Sequence, residues 1–389
     1  MNNFTYHVYT DVRFGKGQLK ALPEVVLPHG KKVLMVYGGG SIKKNGIYQE
    51  IHELLKDCEI HELSGIEPNP KITSVRAGVE LCKTHGIEVV LAVGGGSVID
   101  ASKVIAGGAC YDGDPWDLVV DSKKIGEVLP IVAVLTLAAT GSEMNKNAVI
   151  SNMETNEKLG TASHNFKPVA AICDPTYLFT LPAYQTAAGT ADIMSHVFEQ
   201  YFQKTETAYL TDCIAESILK TCIKYCPVAL KEPDNYEARA NLMWASTQAL
   251  NGLTSAGKGG GWTCHPMEHE LSAFYDITHG VGLAIVTPRW MRYILNEDTA
   301  PKFAAYARNV WGIQETDTMK CAAMGIDATE EFFKNCGIPM TLREVGIDDS
   351  KLSVMAADAV KFGGLSNAYV PLDEKDVEEI LKMSLYGVL

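Results

Sequence analysis

The sequence predicts an α/β domain over residues 1–179 followed by an all-helical domain over 180–389. Three observations carry this. Short, uninterrupted apolar runs alternate with helical windows through the first part, the pattern of a parallel sheet covered on both faces. From residue 183 onward the windows are helical and no strand is predicted. Between them lies DPTYLFTLP at 174–182, bracketed by prolines, which marks the joint. A chain of 389 residues is also longer than one ordinary core accommodates.

Each element has its own signal. Residues 31–38 (KKVLMVYG) form an apolar run that stops at glycine, a buried strand. Residues 47–58 place Ile47, Ile51, Leu54 and Leu55 at helical spacing. A strand at 59–63 follows. The helix at 71–85 is opened by Asn69-Pro70 and closed by Gly86. Residues 89–93 are apolar throughout and lead into Gly94-Gly95-Gly96-Ser97, then a helix to about Ala106. Strands at 129–135 and 169–173 complete the sheet. In the second part the helical windows include 191–202, 210–225, 236–250 and 280–293.

Composition excludes several functions. A formal charge of −13 repels phosphate backbones, so no nucleic-acid partner is expected. No window approaches the roughly 18 apolar residues of a membrane span, so no membrane partner is expected either. The first ten residues lack the basic and apolar regions of a secretory signal. The ten cysteines form no CxxC pair and read as reduced thiols. Together these point to the cytoplasm. Cys222 and Cys226, one helical turn apart, read as small apolar residues on a buried face rather than as metal ligands.

Two constellations carry chemistry. The first is glycine: Gly38, Gly39, Gly40 and Ser41 after one strand, and Gly94, Gly95, Gly96 and Ser97 after another. Glycine lets backbone approach a phosphate, and a helix start supplies free N–H groups and a positive dipole end. Neither cluster is G-x-G-x-x-G, because Lys43 and Ile99 stand at the third glycine position. With Thr140-Gly141-Ser142 in the same half, a phosphate or dinucleotide site is the better reading. The stretch from Gly38 to Lys44 has no acid to accept ribose hydroxyls, while Ser41, Lys43 and Lys44 suit a 2′-phosphate. NADP(H) is therefore favoured over NAD(H).

The second constellation is Asp192 and His196, at i and i+4 on one helix face, followed by His265, His269 and His279. One carboxylate with several imidazoles suits a divalent ion such as Zn²⁺ or Fe²⁺. The pentapeptide from His265 to His269 also fits the H-x-x-E-H pattern of a metalloprotease, with Glu268 as base. That reading leaves Asp192, His196 and the glycines unused.

Six segments resemble the iron-containing (group III) alcohol dehydrogenase family, most of all its bacterial butanol dehydrogenases. They are VYGGGSIKKNG (36–46), GIEPNP (65–70), AVGGGSVIDASK (92–103), LTLAATGSEMN (135–145), TAAGTADIMSHVFE (186–199) and HPMEHELSAFYDITHGVG (265–282). The likeness spans essentially the whole chain. It implies a Rossmann-like first domain and a helical second one, the dehydroquinate synthase-like arrangement. It implies metal ligands at Asp192, His196, His265 and His279, with Fe²⁺, Zn²⁺ or Co²⁺ as the ion. It puts His269 near the substrate, where it can relay a proton. It places the pyrophosphate at 94–97 and the nicotinamide near Asp100, Thr136, Leu137, Thr140, Ser142, Lys158 and Leu178. Gly38, Gly39, Gly40, Ser41 and Asn69 complete the cofactor set. The resemblance implies a homodimer and reversible oxidation of short primary alcohols such as butanol, with Phe198, Trp262 and Phe274 expected along an apolar pocket. A sugar-phosphate cyclase shares the general fold, but residues 265–279 hold no Lys or Arg to bind a phosphorylated substrate.

Overall fold

The computed structural model describes residues 1–387. Among the described residues eight strands are present: β1 (Asp11–Phe14), β2 (Lys32–Tyr37), β3 (Glu59–Leu63), β4 (Val89–Gly94), β5 (Ile131–Leu135), β6 (Asn147–Asn152), β7 (Glu157–Ala162) and β8 (Ala170–Cys173). Six of them form one sheet in the order β1-β8-β5-β4-β2-β3, every pair parallel. β6 and β7 form a separate antiparallel hairpin. The five predicted strands lie within two residues of their expected bounds at each end. β1 and the hairpin were not anticipated. β1 is four residues long with Asp11 and Arg13 in it, so it lacks an apolar run.

The sheet is apolar on both faces because its strands alternate between two cores. Leu34, Val36, Val90, Ala92, Ala133 and Leu135 point to one, packed under helices Ile72–His85 and Gly96–Ala109. Val33, Met35, Tyr37, Leu91, Val93, Val132 and Val134 point to the other, with Ile42, Ile47 and Ile51. Period-two alternation with both faces buried gives a continuous apolar run in sequence, which is why these strands were legible. Chain order reverses between β2 and β4: β3 lies outward of β2, while β5 and β8 lie on the far side of β4. In open parallel sheets, ligands bind beyond the strand C-termini at such a reversal.

The chain divides into two compact units. One comprises His7–Leu181 with Pro233–Thr247; the other comprises Met1–Tyr6, Pro182–Glu232 and the chain from Gln248 onward. The segment 233–247, expected with the helical part, belongs to the sheet unit, where Trp244 stacks edge-on to Phe14 with ring centroids 5.7 Å apart. The helical unit is built from long helices, among them Ala183–Tyr201, Tyr209–Lys231, Cys264–Tyr275 and His279–Tyr293. No helix among the described residues is long and apolar enough to cross a membrane. All ten cysteines are free thiols.

Candidate metal centre and nucleotide site

In the helical unit three helices supply the ionisable cluster. Helix Ala183–Tyr201 carries Asp192, His196 and Glu199 at i, i+4 and i+7, one face of the helix. Helix Cys264–Tyr275 carries His265, Glu268 and His269. Its last turn ends at Asp276 in the left-handed conformation (φ 51°), which redirects the chain. His279 then opens helix His279–Tyr293. That helix reaches the first one through Gly280, where a Cβ would lie 2.0 Å from the Ala188 carbonyl oxygen. Gly280→Ala is expected to separate the two backbones at a cost of about 1–3 kcal/mol or more. A chemical denaturation midpoint equal to wild type would contradict this packing.

Donor atoms of Asp192, His265 and His279 all lie within 4.8 Å of one another. Nε2 of His265 is 3.9 Å from Asp192 Oδ1, and Nε2 of His279 is 3.7 Å from it. The opposite ring nitrogens are held by buried carboxylates. Glu199 accepts hydrogen bonds from the Thr263 N–H (2.7 Å), the His265 N–H (2.9 Å) and His265 Nδ1 (3.2 Å). Glu268 accepts from His279 Nδ1 and from the Ser272 hydroxyl. A carboxylate on Nδ1 puts the ring proton there and leaves Nε2 with its lone pair turned toward Asp192. Nε2 of His265 is buried and has no hydrogen-bond partner among the described residues. The donor set therefore fits a divalent ion: one carboxylate, imidazoles with fixed tautomers, and a nitrogen left without a proton partner.

The fourth expected ligand, His196, lies beside this trio. Its Nδ1 is 3.4 Å from Asp192 Oδ1 and its ring tilts over His265, centroids 4.7 Å apart. Burial, with the His265 and His279 rings nearby, holds its imidazole well below the usual histidine range, so it stays neutral, as a ligand must. The His269 ring is half-buried, 6.3 Å from His265 and 5.9 Å from His279. Of the three aromatics expected to line a pocket, Trp262 packs on this cluster, edge-on to His265 at 4.6 Å and to His196 at 5.8 Å. Phe198 is instead in the aromatic core with Phe202 and Tyr306, and Phe274 lies beneath the Lys351 ammonium. Sequence proximity to the histidines predicts a pocket position for Phe198, and helix geometry turns it into the aromatic core instead. Glu199 and Glu268 were not anticipated in this role. The spacing of Glu199 from Asp192 and His196 was the available signal.

In the sheet unit, the turns after β2, β4 and β5 leave the same edge, since Tyr37 pairs with Val93 and Gly94 with Leu135. They carry Gly38, Gly39, Gly40 and Ser41, then Gly94, Gly95, Gly96 and Ser97, then Thr136, Leu137, Thr140 and Ser142. Helix Gly96–Ala109 begins directly at the second turn with no side-chain cap, leaving its first N–H groups for a ligand. A Cβ on Gly96 would sit 2.5 Å from Thr140 Oγ1, so the second and third turns are in contact. At Gly39 and Gly40 a Cβ would meet nothing within 4 Å. A shallow backbone cradle with open space above it fits a dinucleotide phosphate. Asp100 is buried on the same helix, and Asn69 takes a left-handed φ of 50° immediately before Pro70, whose carbonyl accepts the Ser151 N–H. Lys158 is buried on β7. Leu178 is 1% exposed within the core under the helices, so its side chain is packing.

Residues 10–175 match the iron-containing alcohol dehydrogenase family, and residues 186–385 match the C-terminal part of the Fe-containing alcohol dehydrogenase family. The chain is 57% identical over 388 residues to NADH-dependent butanol dehydrogenase A of Clostridium acetobutylicum, covering 99% of this chain and 100% of that protein. It is 42% identical over 358 residues to the NADPH-dependent aldehyde reductase YqhD of Escherichia coli, covering 91% and 92%. The crystal structure of NADH-dependent butanol dehydrogenase A from Thermotoga maritima superposes with a TM-score of 0.94 at 41% identity, covering 99% of both chains. The chain belongs to the iron-containing alcohol dehydrogenase family, and it is a metal-dependent alcohol dehydrogenase/aldehyde reductase that works with NAD(P)H.

Proposed function

We propose that the chain interconverts short primary alcohols and aldehydes of the butanol/butanal kind, with Asp192, His196, His265 and His279 as its metal ligands. The convergence of Asp192, His265 and His279 donor atoms within 4.8 Å carries this reading. When bound, a divalent ion (Fe²⁺, Zn²⁺ or Co²⁺) supplies Lewis acidity toward the substrate oxygen, and the nicotinamide supplies or accepts the hydride. Glu199 and Glu268 hold the His265 and His279 rings in one orientation and one tautomer. Trp262 covers the His196 and His265 rings and shields them from water. His269, whose ring lies 5.9 Å from that of His279, is the residue placed to relay the alcohol proton, an imidazole being able to accept at one ring nitrogen and donate at the other. With no Lys or Arg in 265–279, the surroundings favour an alkyl chain over a phosphorylated one. The test is NAD(P)H consumption by metal-loaded protein with aldehydes of increasing length. Turnover of a phosphorylated sugar with none of any simple aldehyde contradicts the reading.

The nucleotide is proposed to lie along Gly38, Gly39, Gly40, Ser41, Asn69, Gly94, Gly95, Gly96, Ser97, Asp100, Thr136, Leu137, Thr140, Ser142 and Lys158, with the backbone of Leu178. The absence of an acid from 38–44 supports NADP(H). Two observations weigh the other way. Lys43 stands over the Tyr48 and Tyr37 rings, at 4.6 and 5.3 Å, with Glu62 binding both phenols, so its charge is already engaged. Relatives 45–57% identical are named NADH-dependent. We therefore read the turn as admitting both, with kcat/KM values for NADPH and NADH within about tenfold, or about 1.4 kcal/mol. Gly39→Asp is the discriminating variant, because Gly40 has φ 94° and would strain any side chain. It is expected to raise the NADPH-to-NADH ratio of KM by at least about tenfold through charge repulsion at the 2′-phosphate. An unchanged ratio places the 2′ position elsewhere.

A homodimer in the cytoplasm completes the proposal. The extended N-terminal segment leaves Phe4, Tyr6, Val8 and Tyr9 each at least 40% exposed, and β1 is a sheet edge, both features that a second copy would cover.

A further inference from the structure

Lys103 lies on helix Gly96–Ala109 and is fully buried. Its Nζ donates to Ser142 Oγ at 2.7 Å, to Asn145 Oδ1 at 3.0 Å and to the Asn147 carbonyl at 2.7 Å, which uses all three of its protons. The acceptors belong to one stretch, 142–147, which runs from the segment after β5 into the first residue of β6. That stretch is tied further by the same groups. Ser142 Oγ donates to Asp100 Oδ1 at 2.5 Å, and the Val149 N–H donates to Asp100 Oδ2 at 2.9 Å. Asn145 Nδ2 donates to the Thr140 carbonyl at 3.1 Å, and the Ser142 N–H donates to Thr140 Oγ1 at 3.2 Å. Glu143, also fully buried, accepts from Thr247 Oγ1 at 2.5 Å.

An ammonium without exposure is costly, and a methionine of similar length would fill the same space. Burial pulls the group down to about 8, opposed by the charges of Asp100 and Glu143, so it remains a cation at neutral pH. What the charge obtains is a shape. The stretch leading into β6 is fixed at three points from one atom, and its Thr140 is set against Gly96 at the start of the helix.

We propose that Lys103 is a positioning residue for the nicotinamide nucleotide: it fixes the 140–147 loop so that Thr140 and Ser142 stand in register with the turn at 94–97. The proposal rests on the cofactor reading given above. With its three protons used on Ser142, Asn145 and Asn147, Lys103 acts through the loop and not by contact with the nucleotide.

The experiment is fluorescence titration of NADH and NADPH into metal-loaded wild type, Lys103→Met and Asn145→Ala without aldehyde, alongside metal content, circular dichroism and steady-state kinetics. For folded Lys103→Met the Kd of the nucleotide is expected to rise at least about tenfold, with KM for it rising in parallel. Bound metal and kcat at saturating nucleotide stay within about threefold, a split that general loss of stability does not produce. Folded Lys103→Met with wild-type Kd overturns the proposal, whatever its melting temperature. If Lys103→Met does not fold, Asn145→Ala decides: a Kd raised about threefold or more supports the proposal, and an unchanged Kd overturns it. Absence of saturable binding by wild type removes the cofactor reading and the proposal with it.

Discussion

In His279→Ala, aldehyde turnover is expected to fall on the order of a thousandfold while the Kd of NADH stays within about threefold of wild type. The size follows from the geometry. His279 Nε2 is one of three donor atoms gathered within 4.8 Å, and its partner Asp192 is 3% exposed. Removing the ring takes away one of the four proposed ligands and deprives the fully buried Glu268 carboxylate of its His279 partner, which weakens the hold on the ion and disturbs its geometry. A loss of Lewis-acid assistance worth about 4 kcal/mol is about a thousandfold in rate. Nucleotide binding is spared because every residue proposed for it lies in the other compact unit. The same variant retaining full turnover after chelation shows that the ligand assignment is wrong.

The second large effect belongs to carboxylates that do not face the ion. Glu268→Gln is expected to weaken metal binding about 10- to 100-fold, measured by competition with a chromophoric chelator. Glutamine keeps the size but loses the charge that makes His279 Nε2 a stronger base, and its amide can present a donor where an acceptor is needed. Glu199→Gln should act similarly through His265, with added loss of order because Glu199 also holds two backbone N–H groups, of Thr263 and His265. Wild-type metal affinity in both variants would assign these glutamates to packing alone.

Much of this protein was legible in its sequence, for physical reasons that can be traced residue by residue. Strands such as Val89–Gly94 are buried on both faces, so their composition alone declares them. Asp192 and His196 are separated by one helical turn, so their shared face follows from spacing. What stayed hidden depends on contacts between distant segments. Nothing local to Glu268 says that its carboxylate meets His279 rather than serving as a base, because the left-handed turn at Asp276 decides it. Phe198 neighbours the ligand helix in sequence but points away from the cluster into the aromatic core. The hairpin of β6 and β7 has Lys158 and Thr161 buried among its residues, so polar positions masked its pattern. Cofactor preference was read from 38–44, yet Glu62, which faces Lys43 through the two phenols, comes from β3. Lys103 gave no local sign of its burial beyond the apolar helix around it.

The most direct test is stepwise reconstitution of chelated protein under anaerobic conditions, following bound Fe²⁺ and butanal-dependent NADH oxidation in the same samples. Activity is expected to rise in proportion to bound ion and to saturate at one equivalent per chain, with neither seen in an Asp192→Ala/His265→Ala/His279→Ala protein. Full butanal turnover by the ion-free wild type, or one tightly held equivalent in the triple variant, would contradict the assignment of the metal centre.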